Sequence, residues 1–285
     1  MKIGIIGGGK VGCCLAEYLQ NHLVGITAST STKNQELADR FHTSYTATLE
    51  VIEQAEVIFL TLPDRKIMTL ANEIASATKV AGKIFLHCSG SLGLEPLQAL
   101  HEQGAHCGSM HPLQSFAGGA TKLQGVYMAV DGDAIAQAKA KEIVTLLGGN
   151  SFFVPGEERA AYHAAACFCS NYAVTVDTLA QKLMSRWTGS EEAAWQALLP
   201  LFKGTVANLE STKKTNKVLT GPVARGDINT IEKHLLSLPN EYLSIYCSLC
   251  LATVQIALSN ETIDLQTAHQ LQNLLQLRQV KNSEE

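Results

Sequence analysis

The run Ile3-Gly4-Ile5-Ile6 leads directly into Gly7-Gly8-Gly9-Lys10-Val11-Gly12. This is G-x-G-x-x-G set between a short apolar strand and an amphipathic helix, whose Val11, Leu15 and Leu19 recur every four residues. Each glycine answers a separate steric demand. Gly7 permits the tight turn, Gly9 lets backbone approach a pyrophosphate, and Gly12 lets the helix pack closely on the strand. The first N–H groups of the helix, those of Lys10 and Val11 included, lack helical acceptors and attract an anion. The spacing predicts a dinucleotide site, against the plainer possibility of a glycine-rich turn in some other α/β sheet.

The pattern continues as strands and helices in alternation. Strands are expected at Leu23–Ala28, Val57–Leu62 and Lys83–His87, with shorter ones at Ala105–Met110, Val126–Val130 and Ser151–Val154. The first of these runs are apolar without alternation, as parallel strands covered on both faces require. Helices are expected at Lys33–Phe41 and Ala134–Leu147. At Pro155-Gly156 the period changes, and the remainder of the chain reads as helical. One helix is expected over Arg159–Arg186, roughly 40 Å long at 1.5 Å per residue. Others are expected at Glu191–Glu210 with Pro200 inside, after an Asp227 cap, at Tyr242–Leu258 and at Leu265–Leu277. The expected architecture is α/β: a Rossmann-type parallel sheet domain over residues 1–155, then an all-helical domain over 156–285 for substrate and dimerisation.

Composition narrows the function. The formal charge is −4, and no basic stripe marks a nucleic-acid surface, so no nucleic-acid partner is expected. Tyr242–Leu258 is uncharged, yet it is short of the ~20 residues of a membrane span and carries Ser244, Ser248, Thr253 and Gln255. A buried helix is the better reading, and no membrane partner is expected. Met1-Lys2-Ile3 runs straight into the first strand, so no signal peptide is expected. Eight cysteines then read as reduced thiols of a cytoplasmic protein. No cysteine or histidine spacing resembles a zinc site, and no metal is expected.

Dinucleotide folds that bind NAD end their second strand in an acid that takes the ribose 2′-hydroxyl. Here the position offers Ser29-Thr30-Ser31-Thr32-Lys33. Ser29, Thr30 and Lys33 suit a 2′-phosphate, and NADP(H) is the expected cofactor; an ordinary solvated loop is the alternative. Leu62-Pro63-Asp64 and Cys88-Ser89-Gly90-Ser91 fall at strand ends, the edge where open parallel sheets bind ligands. Leu62 and Pro63 are read as cofactor contacts, and Ser89 as a contact to cofactor or substrate. His111 follows a further strand end and reads equally as a general acid, with an ordinary pKa near 6.5, or as an anchor of loop backbone. His163, Cys167 and Asn171 are spaced by four and share a helix face. They suit a substrate cleft or hydrogen bonding across a helical core. Arg225, before the Asp227 cap, can clamp a substrate carboxylate or pair with an acid for structure alone.

Ile5–Gly12, Phe59–Asp64, His87–Ser91, Met110–Phe116, Tyr162–Tyr172 and Leu219–Asp227 together resemble the 6-phosphogluconate-dehydrogenase-like superfamily. Pyrroline-5-carboxylate reductase, ketopantoate reductase and the deazaflavin-linked NADP oxidoreductases belong to it. More closely, the chain resembles a family that pairs a Rossmann-like half with a helical domain of unknown function. The resemblance implies an NADP-dependent oxidoreductase, dimeric through its helical half. Hydroxyacid dehydrogenases of the superfamily place a catalytic lysine four residues before an asparagine. Asn171 matches the asparagine, whereas Cys167 holds the lysine position. Proton transfer then falls to His163 or His111, or catalysis of that type is absent. The expected function is reduction of a small carbonyl or imino compound bearing a carboxylate. The alternative is a non-catalytic NADP(H)-binding sensor or regulatory subunit.

Overall fold

In a computed structural model describing residues 1–117 and 121–284, the opening residues build as their sequence demands. Strand β1 (Ile3–Ile6) ends at Gly7, whose φ of +129° is open only to glycine. Helix α1 (Lys10–Tyr18) then folds back so closely that a Cβ on Gly12 would stand 1.9 Å from the Gly7 carbonyl oxygen. A Cβ on Gly9 would meet nothing within 4 Å. The turn is closed on one side and open on the other.

Strand β2 (Leu23–Thr27) leads through the Thr30 cap into α2 (Ser31–Phe41), which begins two residues ahead of the expected Lys33. Helix α3 (Thr48–Gln54), β3 (Val57–Leu60), α4 (Asp64–Ala77) and β4 (Ile84–His87) come next. Then come α5 (Gln98–Glu102), β5 (His106–Pro112), β6 (Tyr127–Gly132), α6 (Ala134–Leu146) and β7 (Asn150–Phe153). The seven strands lie in the order β2-β1-β3-β4-β5-β6-β7. All neighbours are parallel except β5 and β6, which run antiparallel, so the expected parallel sheet is a mostly parallel one.

The sheet separates two hydrophobic layers by the period of two that strands impose. Ile3, Ile5, Val57, Phe59, Ile84 and Leu86 face a core shared with Leu15, Leu19 and Ile143. Ile6, Ile58, Leu60 and Phe85 face another, with Ile52, Ile67 and Leu97. The register pairs Ile6 with Thr27 and Leu60, Leu60 with His87, and His87 with Ser109. Gly7, Thr61 and Cys88 therefore emerge at one edge, past which β5 runs on to Pro112. Chain order reverses between β1 and β3, the switch point where such sheets open a crevice.

The helical region opens with α7 (Arg159–Cys169) and α8 (Asn171–Thr188). These replace the single helix expected over Arg159–Arg186. The break is at Ser170, whose φ of −115° and ψ of −65° depart from helical geometry. Neither Pro nor Gly marks it, so it left no local signal. The chain divides into two compact units, Met1–Ala173 and Val174–Glu285, and α7 belongs to the first.

In the second unit, α9 (Glu191–Glu210) contains Pro200, and α10 (Ile228–Ser237) is capped by Asp227, which accepts from the Thr230 N–H. Helix α11 (Asn240–Ser259) buries Leu243, Cys247, Cys250, Val254 and Ala257, a stripe spaced by four and three. It is long and apolar enough to cross a membrane by length and composition, yet this stripe packs into a core with Leu271 and Leu275 of α12 (Leu265–Glu284). Cys247 and Cys250 serve there as small hydrophobes. Helix α8 has no buried residue, and α9 buries only Ala194.

Two substitutions separate the roles of the turn. Gly12→Ala is expected to cost about 2–4 kcal/mol in urea denaturation, because the new methyl meets fixed backbone. Gly9→Ala is expected to change stability by no more than about 0.5 kcal/mol.

Candidate active site

Two adjoining clefts lie along this edge within the first unit. The smaller, of about 360 Å³, is lined by Gly8, Gly9, Lys10, Cys13, Lys33 and Arg40 among others. No side chain caps α1, so its leading N–H groups are left for a ligand. Lys10 Nζ donates to the Ala117 carbonyl oxygen at 2.5 Å and ties the segment after β5 to the glycine turn. Val11 is half-buried against the core. Thr61 donates from Oγ1 to the Gly7 carbonyl at 2.7 Å and locks the turn to the end of β3.

The residues after β2 are Ala28, Ser29 and Thr30, with no acid among them. Ser29, Thr30 and Lys33 are all exposed. The Thr30 hydroxyl is partly engaged, accepting from the Lys33 N–H at 3.3 Å as the cap of α2. Asn34 holds this loop by accepting from the Ala28 N–H at 2.5 Å and donating to the Thr46 carbonyl at 2.9 Å. Sequence reasoning missed Arg40, which reaches the cleft from the last turn of α2 and pairs with Glu17 at 2.5 Å. Cys13 and Cys14 are pushed upward by burial and stay protonated thiols.

The loop after β4 is built on His87. Its ring is fully buried; Nε2 donates to the Gly93 carbonyl at 2.8 Å, and Nδ1 accepts from the Ser89 N–H at 3.2 Å. Both ring nitrogens are thus spent in a neutral tautomer, and burial holds the group down at about 4. Ser89 was expected to contact cofactor or substrate; the structure gives its hydroxyl another task. It donates to Asp64 Oδ2 at 2.8 Å and accepts from the N–H groups of Ser91 and Leu92 at 3.2 Å each. Asp64 also accepts from the Ser91 hydroxyl at 2.9 Å. Of the preceding residues, Leu62 packs on the second core and Pro63 is exposed at the start of α4.

These bonds present Gly90 to two histidines. A Cβ there would stand 2.5 Å from His163 Cδ2 and 2.8 Å from His111 Nε2. The edge of the sheet thus brings His111 and His163 together, with ring centroids 6.0 Å apart. Both line the larger cleft, of about 770 Å³, together with Asn171 and Tyr162. Its other walls include Leu113, Phe116, Phe152, Ala165 and Ala166, and none of its lining residues is Lys or Arg. Phe116 lines both clefts and joins them. Cys167 lies behind His163, its Sγ 3.9 Å from Nδ1.

His111 is not the ordinary imidazole that its sequence position suggested. Burial, followed by the neighbouring His163 and Arg159, pulls it down to about 4, so it is neutral at pH 7. Its Nδ1 lies 2.7 Å from the Tyr162 hydroxyl. Arg159 is fully buried, donating from Nε to the Val154 carbonyl and from Nη2 to the Ser109 hydroxyl. Sequence reasoning assigned no role to Tyr162 or Arg159, since neither stands in a recognisable spacing with His111. Arg225, read as a carboxylate clamp, lies in the second unit and lines a hollow there with Glu261 and Asp264. Among the described residues, no three His, Cys, Asp or Glu side chains gather to hold a metal.

A Rossmann-like domain matches residues 1–112, and the helical domain of unknown function DUF2520 matches residues 126–253. No curated protein matches the chain. Among solved structures, a Bacteroides fragilis protein assigned as an NADP oxidoreductase is 22% identical, with a TM-score of 0.72 over 89% of this chain and 98% of that one. A protein of Thermotoga maritima is 24% identical, with a TM-score of 0.70 over 91% and 99%. Pyrroline carboxylate reductase of Plasmodium falciparum, solved with NADP bound, is 13% identical, with a TM-score of 0.58 over 96% and 97%. At these identities the likeness is one of fold.

His87 makes acid stability a test of the site. Its folded value near 4 lies below the ordinary 6.5, so the unfolded chain takes the proton first. Its contribution is full above pH 6.5 and is lost as pH falls towards 4, by about 3 kcal/mol. His111 adds a loss of the same sign. Urea midpoints should fall on acidification across this window, and less steeply in His87→Gln.

Proposed function

We propose that this chain, a Rossmann-like domain joined to a DUF2520 domain, is an NADP(H)-dependent reductase of a small carbonyl or imino compound. One observation carries the reading. An uncapped glycine turn, open at Gly9 and ringed by Lys10, Lys33 and Arg40, adjoins through Phe116 an apolar cleft holding His111, His163 and Asn171. The residues fit the cofactor. Gly7, Gly9 and Gly12, with the N–H groups of Lys10 and Val11, would hold the diphosphate, and Ser29, Thr30 and Lys33 the 2′-phosphate, with Arg40 added. The absence of an acid after β2 favours NADP(H) over NAD(H). Bound, the reduced nicotinamide supplies a hydride; the chain's part is to orient the acceptor and to supply a proton.

His111 and His163 are the candidates for the proton, and Asn171 for holding the substrate's polar end. The apolar walls exclude water from the reacting carbon. A substrate carboxylate belongs to the same proposal. Cys167, where related dehydrogenases carry lysine, favours the second reading of a non-catalytic NADP(H) sensor or regulatory subunit. We place the protein in the cytosol, in keeping with its eight free thiols.

We also propose a homodimer formed through the helical region. Trp187 and Leu201 are 69% and 70% exposed, and the helices that carry them are apolar yet almost without buried residues. Light scattering should give twice the 30.6 kDa chain mass, and Leu201→Glu should shift it towards one. A monomeric wild type would end this part of the reading.

Calorimetry tests the cofactor. NADPH should bind more tightly than NADH, and Lys33→Ala should weaken NADPH about tenfold while leaving NADH unchanged. His163→Ala should slow turnover of a keto- or imino-acid panel without altering NADPH affinity. Absence of binding to NADPH and NADP⁺ overturns the proposal, and binding without turnover across the panel selects the sensor.

A further inference from the structure

Deepening the reductase reading, we propose that Tyr162 is the positioning residue of the site: its hydroxyl donates to His111 Nδ1, fixes the tautomer that points an N–H from Nε2 at the substrate, and holds the proton that replaces the one His111 gives up. Geometry carries the assignment. The Tyr162 oxygen and His111 Nδ1 are 2.7 Å apart, and the two rings meet edge to face at 85°. The phenol is fixed from its other side by Phe152, at 5.8 Å between centroids. His111 Nε2 has no hydrogen-bond partner among the described residues and lies against Gly90, where a side chain would strike it.

The arrangement resolves a difficulty in using His111. Burial keeps it neutral, so it cannot act as a stored imidazolium. The groups facing it are Tyr162, His163 and Arg159 of α7, Asp64 of α4 and His87 of β4. Only Tyr162 is within hydrogen-bond reach and carries a proton to give. A carbonyl reduced by hydride from a bound nicotinamide would carry its former C=O π pair on oxygen. That oxygen takes the Nε2 proton of His111 as Nδ1 takes the phenolic proton of Tyr162. One proton has left Tyr162, the alcohol is formed, and His111 ends neutral in its other tautomer beside a phenolate. An alkoxide is far more basic than a phenolate, so the transfer runs downhill. The buried Arg159 guanidinium stands near the phenol and favours its ionised form, opposing the burial that pushes it up to about 12. A proton taken up from solvent at Nε2, with return of the Nδ1 proton to the Tyr162 oxygen, then resets the pair.

The test needs no substrate. Nitrogen-15 spectra of histidine-labelled protein, with the His111 signals identified by their loss in His111→Gln, report tautomer and charge directly. In the wild type, His111 should show a protonated Nε2 and a bare Nδ1 from pH 8 to pH 5. In Tyr162→Phe, which keeps the ring and loses only the oxygen, the two tautomers should mix, while calorimetric NADPH affinity stays within twofold. Once a substrate is found, kcat of Tyr162→Phe should fall at least tenfold with KM little changed. A wild-type His111 protonated at Nδ1, titrating near 6.5, or keeping its tautomer in Tyr162→Phe overturns the proposal. Loss of NADPH binding in the wild type would instead strike the reductase reading and leave the tautomer result standing.

Discussion

The approach of Gly12 to the Gly7 carbonyl, with the Thr61 hydroxyl bonded to that same oxygen, is the constraint on which the first unit turns. It sets where α1 begins and leaves its first N–H groups uncapped at the rim of the sheet. It also joins β1 to β3 across the switch point, by a bond independent of the ladder. Parallel register does the rest. Once Ile6, Leu60, His87 and Ser109 are in one row, every loop leaving those strands opens on the same side. The clefts are consequences of that row.

Two histidines at this edge show how burial sorts like side chains into unlike tasks. His87 spends both ring nitrogens on the backbone of Gly93 and Ser89, and with Asp64 it shapes the loop that carries Gly90. His111 spends one nitrogen on Tyr162 and leaves the other to the cleft. Both are held neutral, because protonation would place a charge in a poorly solvated wall that already contains the Arg159 guanidinium. The His111 end of the cleft is thus a place of directed dipoles rather than of free charge.

The second unit divides its labour differently. Helices α10, α11 and α12 close a core around Ile231, Leu243, Val254 and Leu271. Helices α8 and α9 carry comparable apolar side chains and bury almost none of them. The hydrophobic effect makes such faces costly in water, which is why the proposed dimer is assigned to them.

The strand–turn–helix opening was legible because its signal is local: three glycines, each with its own steric duty, and apolar residues at a spacing of four. The missing acid after β2 and the Asp227 cap were legible for the same reason. The break at Ser170, the antiparallel β6 and the commitment of the Ser89 hydroxyl to Asp64 were not, since each depends on partners distant in sequence. His111 was found by position, but its neutral state was not, because burial, His163 and Arg159 set it from other elements. Local stereochemistry and hydrophobic period, written in the amino-acid order, determined the sheet, the glycine turn and the set of polar residues brought to its edge. Only tertiary packing decided which of those groups are spent on backbone and which face the cleft, because hydrogen-bond partners and desolvation arise from segments that meet solely in the folded chain.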